Sequence, residues 1–359
     1  MLSKYNITKS KLSPGVRRKV DNSYISMVDN TLQFLHEEFG MNRLIGENPE
    51  FLKVLKRLIE TAKIDAPVLV IGEVGTEKEL FAQAIHYLSK RKNKPFLSVN
   101  CSTIPLNLFE NELFGCEDSS QSDSQISQKG YIEKSNGGTL FLNEIDSVPD
   151  KIQSKLLLVL RKNRYKTIGG TRFRSADLRL IAASNINLLH LNTNGYFRKE
   201  LLNQFKDSSL IIPPLRARKS DIPVFASYFV DKYSALYKFP RKKISKAATS
   251  KLMSYHWPGN IRELENVLHQ SIRLSKTLVI EPENIIIQSD FDLQDMDEIS
   301  YQEIKTNLIE KFERDYIARL LVDCNGDLKK AAQMSRMSRT SLYRMMKKYN
   351  IARKDLKDK

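Results

Sequence analysis

Four short apolar runs, each followed by a helical pattern, restrict this chain to one class of fold. They are "APVLVIG" (66–72), "KPFLSVN" (94–100), "GGTLFLN" (137–143) and "DLRLIAASN" (177–185). A continuous apolar run of this length is what a strand needs when both of its faces are buried, and alternation with helices makes the sheet mainly parallel. The stretch "LIGENPEFLKVLKRLIETA" leads in, with Phe51, Leu52, Val54, Leu55, Leu58 and Ile59 on one helical stripe. After "LIIPPLRARKSDIP" the strand signal ends, and residues 222–287 read as helices interrupted at "HWPGN".

The first turn of this alternation raises a chemical question. "GEVGTEKELF" (72–81) sits between a strand and a helix, as a phosphate-binding loop of the form G-x-x-x-x-G-K-[ST] requires. Gly72 and Lys78 occupy their places, but Glu77 stands where the second glycine belongs. In such a loop the backbone N–H groups and the lysine cradle phosphate, and glycine permits the close approach. A carboxylate ~4 Å from a phosphate charge costs roughly 4 kcal/mol at an effective dielectric of about 20.

The net charge of +16 makes a polyanionic partner plausible, and its placement sharpens the point. Residues 326–359 hold eleven Lys/Arg against three Asp/Glu, and the first twenty residues hold six Lys/Arg and no acid. "DLKKAAQM", a turn at "SRM" and "RTSLYRMMKKY" read as two helices of a helix-turn-helix, with Ser338 as N-cap of the second. There the second helix enters the major groove. Arg339, Thr340 and Ser341 are expected near bases or the adjoining phosphates, Tyr343, Arg344, Lys347 and Lys348 on phosphates, and Arg336 and Ser338 among the DNA-binding residues. Leu342, Met345 and Met346 are expected in its core. Cys101, Cys116 and Cys324 lie far apart without metal-site spacing, no apolar run could span a bilayer, and "MLSKYNITKSKLSPGVRRKV" has no apolar leader core. These features fit a reduced cytoplasm, with no metal site.

Residues 44–351 resemble the NtrC-type bacterial enhancer-binding proteins, AAA+ activators of sigma-54 RNA polymerase that end in a Fis-type helix-turn-helix. The resemblance rests on ordered blocks: "IGENPEFLKVLK", "FLSVNCSTIP", "ELFG", "GGTLFLNEID", "LRLIAASN", "FRKELLNQF", "PPLRARKSDIP" and "WPGNIRELEN". It implies an α/β AAA+ core over 41–215, a helical lid over 216–288, a linker over 289–300 and an all-α DNA-binding domain over 301–359. A helix over 301–323, with Ile304, Leu308, Phe312, Tyr316 and Leu320, resembles a dimerising pair. Residues 1–40 are expected to be mostly flexible, with one short helix near 31–39, and too few to build a receiver domain.

The resemblance implies ATP and Mg²⁺ as cofactors, held by Gly72, Gly75, Lys78, Asn143, Asn185 and Arg262. It implies Glu144 on the attacking water, Arg198 as an arginine finger, and Asn100 at a switch position. Four departures oppose that chemistry. Glu77 and Val74 interrupt the family's GESGTGKE. Asn143 replaces the metal-binding aspartate of GGTLFLDEI, and an amide brings no charge to a hard cation. Gln204 replaces a second finger arginine, a kind of residue worth about 10³ to 10⁵ in rate. Where the family carries GAFTGA, its grip on sigma-54, residues 119–124 read "SSQSDS". The expectation is a sequence-specific DNA-binding transcription regulator, weak or inactive in ATP hydrolysis and independent of sigma-54. Its AAA+ body would serve oligomerisation or contact with RNA polymerase or another transcription factor. The contrary reading is an active ATP-hydrolysing sigma-54 activator.

Overall fold

A computed structural model of the chain describes residues 22–117, 128–186, 188, 197–287 and, discontinuously, 313–348. Two compact units divide it, residues 1–287 and 288–359.

In the first unit the four expected strands form: β1 (Val68–Ile71), β2 (Phe96–Asn100), β3 (Thr139–Asn143) and, after a hairpin of β4 (Arg164–Tyr165) with β5 (Arg174–Ser175), β6 (Arg179–Ser184). A fifth, β7 (Ser209–Ile211), lay in "SLIIPP", too short and too close to two prolines to show as a run. The order β2-β3-β6-β1-β7 is parallel throughout. Alternate residues of β1 point to opposite faces: Val68 and Val70 enter one core, Leu69 the other. Helices cover both faces, so the strands carry apolar residues almost without interruption.

On one face pack α1 (Asn22–Phe39), α2 (Pro49–Ala62) and α3 (Lys78–Tyr87). Asn48 caps α2 by accepting from the Glu50 N–H at 2.9 Å, with Pro49 at the first helical position. The short helix expected near 31–39 begins nine residues earlier, at Asn22. Val28 and Leu35, seven positions apart and hence on one helical face, are buried in this core, which holds α1 against α2 and α3. Residues 1–21 lie outside the described residues. The opposite face carries α4 (Phe109–Phe114), α5 (Tyr131–Lys134), α6 (Asp150–Lys162) and α7 (Lys199–Leu202).

The lid comprises α8 (Ile222–Leu236), α9 (Lys246–Ser254) and α10 (Asn260–Leu274) around a core that includes Trp257. It also contains two short strands that no sequence pattern announced, β8 (Lys243–Ile244) and β9 (Val279–Ile280), paired in parallel. In the second unit α11 (Leu328–Ser335) and α12 (Arg339–Lys348) pack through Ala331, Leu342 and Met346. Helical residues at 313, 316–317 and 320–321 precede them, with Ile317, Leu320 and Leu321 in the same core. Ile304, Leu308, Phe312 and the linker 289–300 lie outside the described residues.

Candidate functional site: the phosphate loop under its lid, and the reading helix

β1 delivers the loop 72–77 to the N-terminus of α3, whose first N–H groups have no intrahelical acceptor and suit an anion. Lys78 is buried, and its Nζ donates to the carbonyl oxygens of Gly72 (2.8 Å) and Glu73 (2.9 Å) and to Asn185 Oδ1 (2.6 Å). Burial brings its ammonium down to about 8; Glu144, Asp146 and Glu73 oppose that shift and Arg262 adds to it. Asn185, just past the end of β6, thus contacts the lysine.

Glu77 follows neither course open to a carboxylate beside a phosphate, exposure to solvent or pairing with Lys78. It takes a left-handed backbone, φ 64° and ψ 41°, which glycine would adopt without cost. Its side chain is tucked away from Lys78, in an ion pair with Arg43. Arg43 comes from the segment joining α1 to α2 and also binds Glu265 of α10 at 2.6 Å. Glu265 accepts further from Lys232 and Tyr233, each at 2.8 Å. Burial pushes the Glu77 carboxyl up to about 7, despite Arg43. Through Arg43, Glu77 links the loop to the lid.

More lid contacts lie alongside. Asn260 Nδ2 donates to the Val74 carbonyl at 2.9 Å, and the Ile261 N–H to the Gly75 carbonyl at 3.1 Å. Gly75 (φ 79°) passes so close that a Cβ there would meet the Gly259 oxygen at 2.1 Å. Gly72 is hemmed in by Thr76, whose Oγ1 would stand 2.7 Å from an added Cβ. Glu73 makes a two-pronged pair with Arg216 at 2.5 and 2.6 Å, which holds its carboxyl below the ordinary range. Arg262, exposed on α10, has no ion-pair partner among the described residues and bears electrostatically on Lys78.

At the end of β3, Asn143 Oδ1 accepts from the Glu144 N–H at 3.2 Å. Glu144 itself is left-handed, φ 56°. Asp146 follows, with a buried Oδ1 that has no hydrogen-bond partner among the described residues. The sequence had not singled it out, although "NEID" sets a third acidic or amide group two places beyond Glu144. Lys78, Arg262 and the α3 N-terminus fit a phosphate chain. Glu144 and Asp146 bring carboxylates to Lys78 from the β3 end, and Asn143 adds an uncharged oxygen.

Arg198 pairs within its own chain, with Asp150 at 2.5 Å, while its N–H donates to Gln153 Oε1 at 2.8 Å. Gln204 donates to the Glu200 carbonyl at 3.3 Å. Asn100 Oδ1 accepts from the Ser102 N–H and hydroxyl, at 3.1 and 3.0 Å, in a strand-end turn. Cys101 is buried and its thiol is pushed up to about 12, so it stays protonated. Residues 119–124 lie outside the described residues.

In the second unit, Ser338 Oγ accepts from the Ser341 N–H at 3.1 Å and so caps α12. Arg339, Thr340, Ser341, Tyr343 and Arg344 are exposed along it, whereas Leu342 and Met346 are buried. Lys348 reaches Glu313 at 3.7 Å. Arg336 and the side chain of Lys347 lie outside the described residues. Asp327 Oδ1, accepting from the Lys329 N–H at 2.8 Å, caps α11.

Three family models match the chain in succession: a sigma-54 interaction domain over residues 44–210, an AAA+ ATPase lid domain over 216–295, and a bacterial regulatory protein of the Fis family over 308–349. The chain is 34% identical to the regulatory protein AtoC of Escherichia coli over 323 residues, 89% of this chain and 70% of that one. It is 39% identical to the Psp operon transcriptional activator of the same species over 247 residues, 68% of this chain and 76% of that one. With the nitrogen fixation protein AnfA of Azotobacter vinelandii it shares 35% over 322 residues, 89% of this chain but 60% of that one. NtrX from Brucella abortus, crystallised with ADP, superimposes with a TM-score of 0.64 at 26% identity, over 91% of this chain and 74% of that one. The same protein crystallised with ATP gives 0.64 at 25% identity, over 90% and 73%.

Proposed function

This chain belongs to the family of sigma-54-interaction-domain transcriptional regulators with a Fis-type DNA-binding helix-turn-helix, and from that premise we propose that it is a DNA-bound regulator whose AAA+ body no longer does ATP-driven work. The body serves oligomerisation, as a dimer or a ring, or contact with RNA polymerase or another transcription factor. Its output passes through a polymerase carrying a sigma factor other than sigma-54. α12 reads duplex DNA through Arg339, Thr340 and Ser341, and Tyr343, Arg344 and Lys348 hold phosphates.

The observation that carries this reading is Arg43, which joins Glu77 of the phosphate loop to Glu265 of the lid. A ligand shifts a conformational equilibrium only by its difference in affinity for the two states. A lid already tied to the loop by protein groups leaves nucleotide less to change. Asn143 and Gln204 point the same way: one removes a charge from the metal side, the other from the finger. Bound MgATP would supply a charged phosphate chain and an ion to organise water, with Lys78 and Arg262 on the phosphates and Glu144, Asp146 and Asn143 on the metal side. Binding without productive turnover would make nucleotide a ligand signal.

The rival reading, an active ATPase that opens sigma-54 promoters, gains from the retained Lys78, Glu144, Arg198 and Arg262, and from the Glu77 carboxylate facing away from Lys78. ATP binding and turnover by the purified chain, followed over protein concentration with and without Mg²⁺ and beside Lys78→Ala, separates the two. Turnover no higher than in Lys78→Ala is expected. Turnover that rises with concentration and vanishes in that variant would overturn the proposal.

A further inference from the structure

Between Asp150 and Asp177 the chain carries eight Lys/Arg and no Asp/Glu. Three of these cations meet carboxylates: Lys151 and Lys155 lie on Glu110, and Arg174 lies between Glu117 and Glu133. The other five, Arg161, Lys162, Arg164, Lys166 and Arg172, are exposed and have no ion-pair partner among the described residues. Arg161 and Lys162 end α6, where a cation also meets the helix dipole. The remaining three lie in the β4–β5 hairpin, and no helix end explains them.

The hairpin also exposes an aromatic ring. Phe173 is 48% exposed, with the Arg164 guanidinium 4.4 Å and the Lys166 ammonium 4.6 Å from its ring centre. Beside it opens a cleft of about 180 Å³ lined by Phe114, Leu158, Tyr165, Phe173, Lys155 and Lys166. Pockets for drug-sized molecules start at about 300 Å³. This one is the size of a single flat ring, and of its two lining lysines Lys166 has no carboxylate partner among the described residues while Lys155 is held by Glu110.

Flat rings set among cations are how proteins hold single-stranded nucleic acid, by base stacking and phosphate contact without sequence readout. We propose that this hairpin face binds single-stranded nucleic acid, as a second contact separate from the duplex-reading helix α12. One base enters the cleft and stacks against the exposed ring of Phe173, while Arg164, Lys166 and Arg172 take the neighbouring phosphates. Charge complementarity selects the occupant: an acid-free stretch meets a chain with one negative charge per residue. A short acidic peptide carrying an aromatic side chain is the competing occupant.

The test uses the full chain carrying Arg339→Ala and Arg344→Ala, so that duplex reading by α12 is suppressed, and a fluorescent oligothymidylate of about 16 nucleotides. Phe173→Ala should weaken binding roughly five- to hundredfold, as expected for one lost stack. Replacing Arg164, Lys166 and Arg172 together by Gln should reduce the slope of log affinity against log salt by about 2. Lys162→Gln, off the hairpin, should change affinity less than either, and thermal melts verify that each variant is folded. Unchanged affinity in both hairpin variants would overturn the proposal. So would displacement of the oligonucleotide by an acidic aromatic peptide at equal or lower concentration.

Discussion

Arg43 and Glu77 lie thirty-four positions apart and form an ion pair that ties the phosphate loop to the segment leading into α2. The same guanidinium reaches Glu265, so one cation stands between two half-enclosed carboxylates from different layers of the molecule. Removing one partner of a buried pair is costly because it leaves the others uncompensated, whereas the pair itself contributes little. Arg43→Ala is therefore expected to lower unfolding stability by about 3–5 kcal/mol. Adding Glu77→Gly to Arg43→Ala should restore most of that loss. Urea unfolding of the two single variants and the double variant measures the coupling.

Glu77 should also give the fold a pH dependence of defined sign. Its carboxyl is pushed up to about 7 by burial, while Arg43 and Arg218 pull downward and Glu265 pushes upward. A carboxyl whose folded pKa lies above its unfolded value stabilises the fold below the unfolded pKa, near 4.5, and that contribution is lost as pH rises through about 7. The stability of the wild-type chain relative to Glu77→Gln should accordingly fall between pH 5 and pH 8, by up to about 3 kcal/mol. Melts of both proteins across that range are the check. A constant difference would mean that Glu77 titrates alike in the folded and unfolded chain.

Much of this molecule was legible before its structure. Four of the five parallel strands appear as apolar runs because both sheet faces are buried, which removes the polar alternation that hides a half-exposed strand. Lys78 and Asn185 were each legible from a motif, one at the junction of loop and helix and the other just past a strand, but the hydrogen bond between them was not. The Ser338 cap and the buried Leu342 and Met346 follow from local chemistry and helical spacing. Arg43 and Asn260 were not legible, since they meet the loop across 34 and 186 positions of chain, and neither was Glu265, which meets Arg43 across 222; no local pattern links them. Glu77 showed as a departure, but its meaning depended on a partner that only the fold supplies. The helix 22–39 was underestimated because its stripe of Val28, Leu32 and Leu35 is sparse among polar neighbours.

The reading helix permits a prediction that separates fold from recognition. Ser338→Ala removes the cap on the Ser341 N–H and should cost about 1 kcal/mol of second-unit stability. Arg344→Ala leaves the helix intact and should weaken all duplexes alike, reducing the salt slope by about 1. Arg339→Ala, at the first turn of α12, should instead reduce discrimination between sites. Binding to a preferred and a scrambled duplex at several salt concentrations distinguishes the three.

The contact between loop and lid can be probed by a single methyl group. Gly75 and Gly40 share a left-handed backbone, φ 79° and 64°, so alanine at either position meets the same backbone penalty of about 1–2 kcal/mol. Their surroundings differ. Nothing lies within 4 Å of a Cβ at Gly40, whereas at Gly75 it would stand 2.1 Å from the Gly259 carbonyl oxygen. Backbone cannot yield as a side chain can, so Gly75→Ala must move the lid segment that begins α10, at a further cost of about 1–3 kcal/mol. Trp257 is the only tryptophan of the chain and precedes Gly259 by two residues, fully buried, which makes it a reporter of that movement. A red-shifted Trp257 emission is expected in Gly75→Ala and not in Gly40→Ala. Identical spectra and equal destabilisation in the two variants would mean that the lid is not pressed on the loop in solution, and the Arg43 link would then lack the closed geometry it depends on.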